Sequence, residues 1–190
     1  MIEHFYQNIN GYMNYKNTDF LDLVIESLPK PAIWVELGSW TGKSAAYCAV
    51  ELYNKNKLKS FHCVDTWDGS IDTNQQEMEV VKTGALFDTF NNNILPIKDL
   101  ITTHRAMSWE VAIKFQDNSV DFVYVDADHR YESVMKDLEA WYPKIKLGNY
   151  FGGDDYTKGH PGVCKAVQEF FSKKNIKVKR KGRCWYVQKQ

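Results

Sequence analysis

The sequence predicts an α/β fold: a doubly wound, mostly parallel sheet with helices on both faces and an antiparallel C-terminal hairpin strand. Three observations predict it. Short apolar runs alternate with segments whose apolar residues recur at helical spacing. Several of these runs close on Gly or Asp, the residue types of strand-end loops. Near the C-terminus, two β-prone runs flank Lys181-Gly182-Arg183, a hairpin signal.

Asp19 to Leu28 has helical spacing, and Pro29 and Pro31 end it. Ala32 to Leu37 is a short apolar run closed by Gly38, which suits a buried strand. Lys43 to Asn54 is Ala-rich and helical. Leu58 to Asp65 reads as the second strand and Leu100 to His104 as the third, followed by the helical stretch Ser108 to Phe115. Val120 to Asp126 is β-branched and aromatic, the clearest strand in the chain. Tyr131 to Tyr142 is an amphipathic helix with Pro143 at its end. Tyr150 to Asp154 forms a fifth strand, Val163 to Lys174 a helix, and Ile176 to Arg180 pairs with Cys184 to Gln188. Residues 66–99 break the alternation. They are polar and weakly helical around Gln75 to Asn92, as expected of an insertion or lid that shapes a substrate site.

At 190 residues, the chain holds one domain, 1–190. A hydrophobic fraction of 44% and a charged fraction of 25% exclude disordered, collagenous and disulfide-scaffold classes. The formal net charge is zero, which argues against nucleic acid as a partner. That zero is a cancellation. Residues 173–190 carry eight basic residues and no acid, so the rest of the chain holds 16 basic against 24 acidic residues. Lys on an edge strand blocks strand-to-strand aggregation, and the same hairpin offers a contact surface. Cys48, Cys63, Cys164 and Cys184 are scattered without metal-ligand spacing, so a reduced, cytoplasmic protein is expected. The polar N-terminus lacks a signal-peptide core, and no apolar run approaches the ~20 residues of a membrane helix. A membrane partner is not expected; a homodimer is compatible with the fold class.

In open α/β sheets, ligands bind at the carboxyl ends of strands. The first such loop is Glu36-Leu37-Gly38-Ser39-Trp40-Thr41-Gly42-Lys43-Ser44. It nearly spells a phosphate-binding P-loop, with three residues between the glycines where that loop needs four. It also reads as a tight turn that uses Gly for positive φ, or as E-x-G-x-x-x-G-x-S. The second strand ends in Asp65, 29 residues after Glu36, where an acid can accept hydrogen bonds from ribose hydroxyls. Thr66 and Trp67 follow it. The fourth strand ends in Asp126-Ala127-Asp128-His129-Arg130-Tyr131 and the fifth in Asp154-Asp155-Tyr156. Clustered carboxylates repel and are desolvated at a cost, so such a group persists most simply around a cation. Carboxylate oxygens suit Mg²⁺ or another hard divalent ion. As an alternative, each acid caps a following helix, which fits Asp128 better than the doublet. Trp34, Trp141 and Trp185 read as core, and Trp40, Trp67 and Trp109 as neighbours of the ligand loops.

Over residues 30–160, these motifs together resemble the small class I S-adenosylmethionine (SAM) methyltransferases with D-x-D-H-x-Y and G-D-D-Y motifs. More distantly, they are similar to metal-dependent O-methyltransferases of the catechol, caffeoyl-CoA and macrolide or aminocoumarin sugar types. The resemblance implies a Rossmann-like fold and SAM as cofactor. It implies cofactor contacts at Glu36, Gly38, Ser39, Gly42, Ser44, Asp65, Thr66, Trp67, Ser108 and Asp126. It further implies a divalent metal, with Mg²⁺ the first choice, on Asp126, Asp154 and Asp155, and a small-molecule or sugar hydroxyl as methyl acceptor. Catalytic roles fall to Asp126 and to His129, which stands where the catechol and caffeoyl-CoA types place a lysine base. Imidazole, with an ordinary pKa of about 6.5, can accept a proton at neutral pH. Two other functions compete on sequence: a P-loop-like nucleotide hydrolase or kinase, motivated by Gly42-Lys43-Ser44, and a non-catalytic binding module using the same fold.

Overall fold

A computed structural model describes residues 1–190. Seven strands form one sheet: β1 (Ala32–Leu37), β2 (Leu58–Asp65), β3 (Ile101–Arg105), β4 (Phe122–Val125), β5 (Tyr150–Gly153), β6 (Lys179–Lys181) and β7 (Cys184–Gln188). The α-helices are α1 (Tyr15–Ser27), α2 (Lys43–Asn54), α3 (Glu79–Lys82), α4 (Leu86–Ile94), α5 (Ser108–Ala112), α6 (Tyr131–Trp141) and α7 (Pro161–Ser172). The strand order is β3-β2-β1-β4-β5-β7-β6. β1 to β5 run parallel, while β7 is antiparallel to β5 and β6 antiparallel to β7. This is the predicted Rossmann-like arrangement with its closing hairpin.

Side chains that alternate along a strand point to opposite faces, so each strand feeds two cores. Trp34, Phe61, Phe122 and Tyr124 pack with Phe20, Leu21 and Val24 of α1 and with the alanines of α2. On the opposite face, Val35, Val123 and Phe151 pack with Leu138 and Trp141 of α6 and Val167 and Phe171 of α7. Trp34, Trp141 and Trp185 are fully buried, as their sequence context predicts. All four cysteines are free thiols. No helix is long and apolar enough to cross a membrane.

The structure moves two predicted boundaries and gives segment 66–99 its elements. α1 begins at Tyr15 rather than Asp19, because Asn14 caps it: its side chain accepts from the Lys16 N–H, and the Asn17 side chain accepts from the Asn14 N–H. The predicted strand from Ile176 shrinks to Lys179–Lys181. Asn175 turns left-handed (φ 55°) and the Ile176 N–H closes on the Phe171 carbonyl, so this stretch serves as the exit of α7. Segment 66–99 is a chain of short turns with α3 and α4. Phe87 and Phe90 of α4 pack on Trp67 at ring-centroid distances of 4.8 and 4.7 Å.

The direction of strand order reverses between β1 and β4. Their outgoing loops therefore diverge and leave a crevice at the carboxyl edge of the sheet. α1 reaches this crevice through Asn17. The far end of α1 is fixed by the buried Lys57 ammonium, which donates to the carbonyls of Ile25, Glu26 and Leu28 at 2.7–3.0 Å.

Candidate active site

The loop after β1 folds tightly over the strand ends. Gly38 has φ 84°, and a Cβ there would lie 2.0 Å from the Asp126 carbonyl oxygen, so glycine is required on both counts. Ser39 and Trp40 donate their N–H groups to Asp65 Oδ2, each at 2.9 Å, and Trp67 donates its N–H to Asp65 Oδ1 at 2.8 Å. One carboxylate thus ties the loops after β1 and β2 together. Burial raises the Asp65 pKa, and these backbone donors oppose the rise. Glu36 lies beneath the loop, fully buried. Its Oε2 accepts from Ser39 Oγ at 2.8 Å, while Oε1 has no partner. Burial pushes this carboxyl up to about 7 against hydrogen bonds from Ser44 and Ser39.

Two cavities flank the loop and share Gly38, Trp40, Gln75, Asp126 and Ala127. One, about 310 Å³, is bordered by Asp65, Thr66, Ser108, Trp109 and Asp137. Ser108 Oγ donates to Asp137, whose carboxyl burial pushes up to about 7. The other, about 420 Å³, is walled by Tyr12, Met13 and Met78 on one side. On the other side stand Asp126, His129, Asp154, Asp155, His160 and Arg183.

The acidic cluster is braced by groups both near in sequence and far from it. Arg183, in the turn between β6 and β7, donates Nε to Asp154 Oδ1 at 2.8 Å and Nη2 to Asp155 Oδ1. Asn17 of α1 donates Nδ2 to Asp154 Oδ2. His129 Nε2 lies 2.8 Å from Asp155 Oδ2, and His129 Nδ1 lies 2.8 Å from Asp72 Oδ2. His160 Nδ1 lies 3.1 Å from Asp155 Oδ1. Asp155 itself turns left-handed (φ 58°). Candidate ligand oxygens of Asp126, Asp154 and Asp155 fall within 4.8 Å of one another. Asp126 alone among the three makes no side-chain hydrogen bond or ion pair, and it is the acid that both cavities share. Burial, then the neighbouring Asp154 and Glu36, raise its pKa well above the ordinary carboxylate value. A cation in the crevice would return it to its charged form.

A sequence profile described as a methyltransferase domain matches residues 35–156, which carry the crevice and both carboxylate clusters. The chain belongs to the methyltransferase-domain family. A curated relative, an uncharacterised protein of Acanthamoeba polyphaga mimivirus, is 27% identical over 142 residues. The match covers 72% of this chain but only 58% of that protein. Among solved structures, the O-methyltransferase NovP superposes with a TM-score of 0.76 at 18% identity, covering 95% of this chain and 83% of its own. TomG, an O-methyltransferase from Streptomyces achromogenes solved with SAM, gives 0.66 at 11% identity over 94% and 82% of the two chains. CalS11, a TDP-rhamnose 3'-O-methyltransferase, gives 0.62 at 17% identity over 90% and 77%. At these identities the structural likeness speaks for the fold alone.

Within the crevice, Gly38, Ser39, Ser44, Asp65, Thr66, Ser108 and Asp126, all expected cofactor contacts, line one cavity or both. Three expected cofactor contacts stand elsewhere. Glu36 is sealed under the loop. Gly42 supplies a left-handed turn (φ 89°) where a Cβ would meet Ile94 at 2.9 Å. Trp67 is core, with its indole N–H on the Trp40 carbonyl at 2.8 Å. These residues shape the loops and do not line the cavities. The P-loop alternative fails on the same geometry, because the Ser39 and Trp40 N–H groups already serve Asp65 and cannot cradle phosphate. Asp128 stands apart from the cluster, paired with Arg130 at the start of α6. Sequence reading missed Asn17, Asp72, His160 and Arg183. Only Arg183 carried a signal: it sits in the hairpin turn of an otherwise unexplained basic tail.

Proposed function

We propose that this methyltransferase transfers the methyl group of SAM to a hydroxyl oxygen of a small molecule or sugar, with a divalent metal assisting. The observation that carries the reading is Asp126, a carboxylate without hydrogen-bond donor or cation partner, lining the cavity on each side of the Gly38 loop. A half-buried, unpaired acid so placed calls for a cationic ligand. The residues fit a SAM-sized ligand laid across both cavities. Asp65 accepts three backbone donors and retains about one lone pair for a ribose hydroxyl. Ser108 and Trp109 border the end of that cavity, while Ser39, Ser44 and Asp126 face the methionine end.

Bound SAM supplies an electrophilic methyl carbon on a sulfonium. The hard oxygens of Asp126, Asp154 and Asp155 also fit a dication, with Arg183 and Asn17 bracing two of the three carboxylates. Such an ion, Mg²⁺ in the first instance, would lower the pKa of an acceptor hydroxyl. His129 is the proton acceptor in this reading. Asp72 receives its Nδ1–H and so leaves the Nε2 lone pair facing the cluster. Tyr12, Met13, Trp40 and Met78 offer a flat apolar wall against which a ring could lie.

Two measurements test the reading. Isothermal titration with SAM should show one site per chain; no binding at millimolar SAM would overturn it. Methyl transfer from labelled SAM, screened over phenols, sugars and hydroxy acids, should stop with EDTA and return with Mg²⁺ or Mn²⁺. Transfer to amines only, or transfer indifferent to EDTA, would remove the hydroxyl or the metal from the proposal.

A further inference from the structure

We propose that His129, His160 and Asp155 form a binding site for a first-row transition-metal dication of the Zn²⁺ and Co²⁺ class. It differs in donor chemistry from the oxygen-only set of Asp126, Asp154 and Asp155, shares one carboxylate with it and takes the His129 Nε2 that the proposed transfer uses as proton acceptor, so filling it would stop that transfer. Two loops deliver the ligands: His129 lies on the one after β4, and Asp155 and His160 lie on the one that joins β5 to α7. His129 Nε2 is 2.8 Å from Asp155 Oδ2 and His160 Nδ1 is 3.1 Å from Asp155 Oδ1. All three candidate donor atoms lie within 4.8 Å of one another. Ligands about 2.1 Å from a common ion stand about 3.0 Å apart when cis-octahedral and about 3.4 Å apart when tetrahedral. The two nitrogen–oxygen separations lie close to the cis-octahedral value and fall short of the tetrahedral one.

Hydrogen bonding adds the second argument. With His129 Nδ1 2.8 Å from Asp72 Oδ2, Nε2 is the ring nitrogen turned to Asp155, 2.8 Å from its Oδ2. A nitrogen and a carboxylate oxygen at that distance need a proton or a metal ion between them. Nδ1 of His160 faces the same carboxylate at 3.1 Å. An outer carboxylate that fixes the tautomer of a histidine, here Asp72, is the usual support of a metal-bound imidazole. Arg183 and His160 both approach Oδ1 of Asp155, and His129 approaches Oδ2. The His129, Asp155 and His160 side chains are 15%, 7% and 31% exposed, so the group is sheltered but open to the cavity for entry and for an exogenous ligand. Two imidazoles and one carboxylate favour Zn²⁺, Co²⁺ or Ni²⁺ over Mg²⁺.

The test is a Co²⁺ titration of the full chain after EDTA treatment and dialysis, followed by visible absorption and by calorimetry in excess Mg²⁺. Wild type should bind Co²⁺ with ligand-field bands that millimolar Mg²⁺ does not bleach. Asp72→Asn should weaken Co²⁺ binding about 10–100-fold, the usual effect of losing an outer-shell partner. His160→Gln should weaken it further and abolish the bands. SAM titration and thermal melting of both variants check that they are folded. Co²⁺ binding equal in wild type and His160→Gln, full displacement of Co²⁺ by Mg²⁺, or no Co²⁺ binding at all would each overturn the site.

Discussion

Replacing Glu36 with Gln should invert the usual expectation that removing a buried, hydrogen-bonded residue weakens a protein. In the native chain the Glu36 carboxyl is pushed from 4.5 up to about 7, because burial disfavours its charge more than Ser44 and Ser39 favour it. Between those two values the folded state holds a proton that the unfolded chain has released. Stability must therefore fall as pH rises through that window, and the loss is complete above about pH 8. At 1.36 kcal/mol per tenfold, the full window corresponds to about 3 kcal/mol, and the span from pH 5 to pH 8.5 to between about 2 and 3 kcal/mol. Glutamine does not titrate and loses none of this. Urea unfolding of both proteins at pH 5 and pH 8.5 should show the variant gaining about 2–3 kcal/mol relative to wild type at the higher pH. The comparison cancels any fixed cost of fitting the amide, and it cancels the parallel decline from Asp137, which is also held near 7. A Glu36→Gln effect that is the same at both pH values would refute the claim that Glu36 is a neutral acid under the loop.

Other perturbations separate loop, cluster and base. Gly38→Ala should prevent SAM binding in calorimetry, because the added Cβ falls 2.0 Å from the Asp126 carbonyl; normal affinity would mean that the loop can open at little cost. Trp67→Ala should lower stability by about 3–5 kcal/mol in urea unfolding, the range for deleting a fully packed large aromatic. A change below 1 kcal/mol would place Trp67 outside the core. Asp154→Ala combined with Asp155→Ala should remove Mg²⁺-dependent turnover, and full activity would end the metal's role. Asp72→Asn should cut kcat about 100-fold or more, the usual range for disabling a general base, while leaving the SAM affinity intact. An equal loss in SAM affinity would instead make Asp72 a structural residue of the lid.

The legible part of the chain was whatever depends on neighbours in sequence. β4 announced itself because Phe122 to Val125 feeds both cores and every side chain is apolar or aromatic. The strand-end acids Asp65, Asp126, Asp154 and Asp155 were visible because strand ends are where an α/β sheet places its ligands. Direction was harder to read than position. Glu36 and Trp67 stand at the right loops, yet one is sealed beneath the turn and the other packs on α4. No local pattern distinguishes a strand-end side chain that faces a cavity from one that faces the core. The braces were not legible at all. Asn17 reaches Asp154 across 137 positions, and Asp72 reaches His129 across 57. Such pairings exist only after the sheet has formed. The alternation of charge had the same origin: one of the eight basic residues in the tail, Arg183, neutralises carboxylates of the acidic body.

Asp72 belongs to the segment that departs from the regular strand–helix alternation, and Met78 and Gln75 of that segment also wall the larger cavity. In the proposed reaction, the part of the molecule that shapes the room for the acceptor would therefore also orient the imidazole of the base. Selectivity and proton transfer would then be inherited together. An attempt to retarget this enzyme by exchanging residues 66–99 for those of a relative would transplant a binding preference and, unless a carboxylate is restored opposite His129, leave the base unaligned.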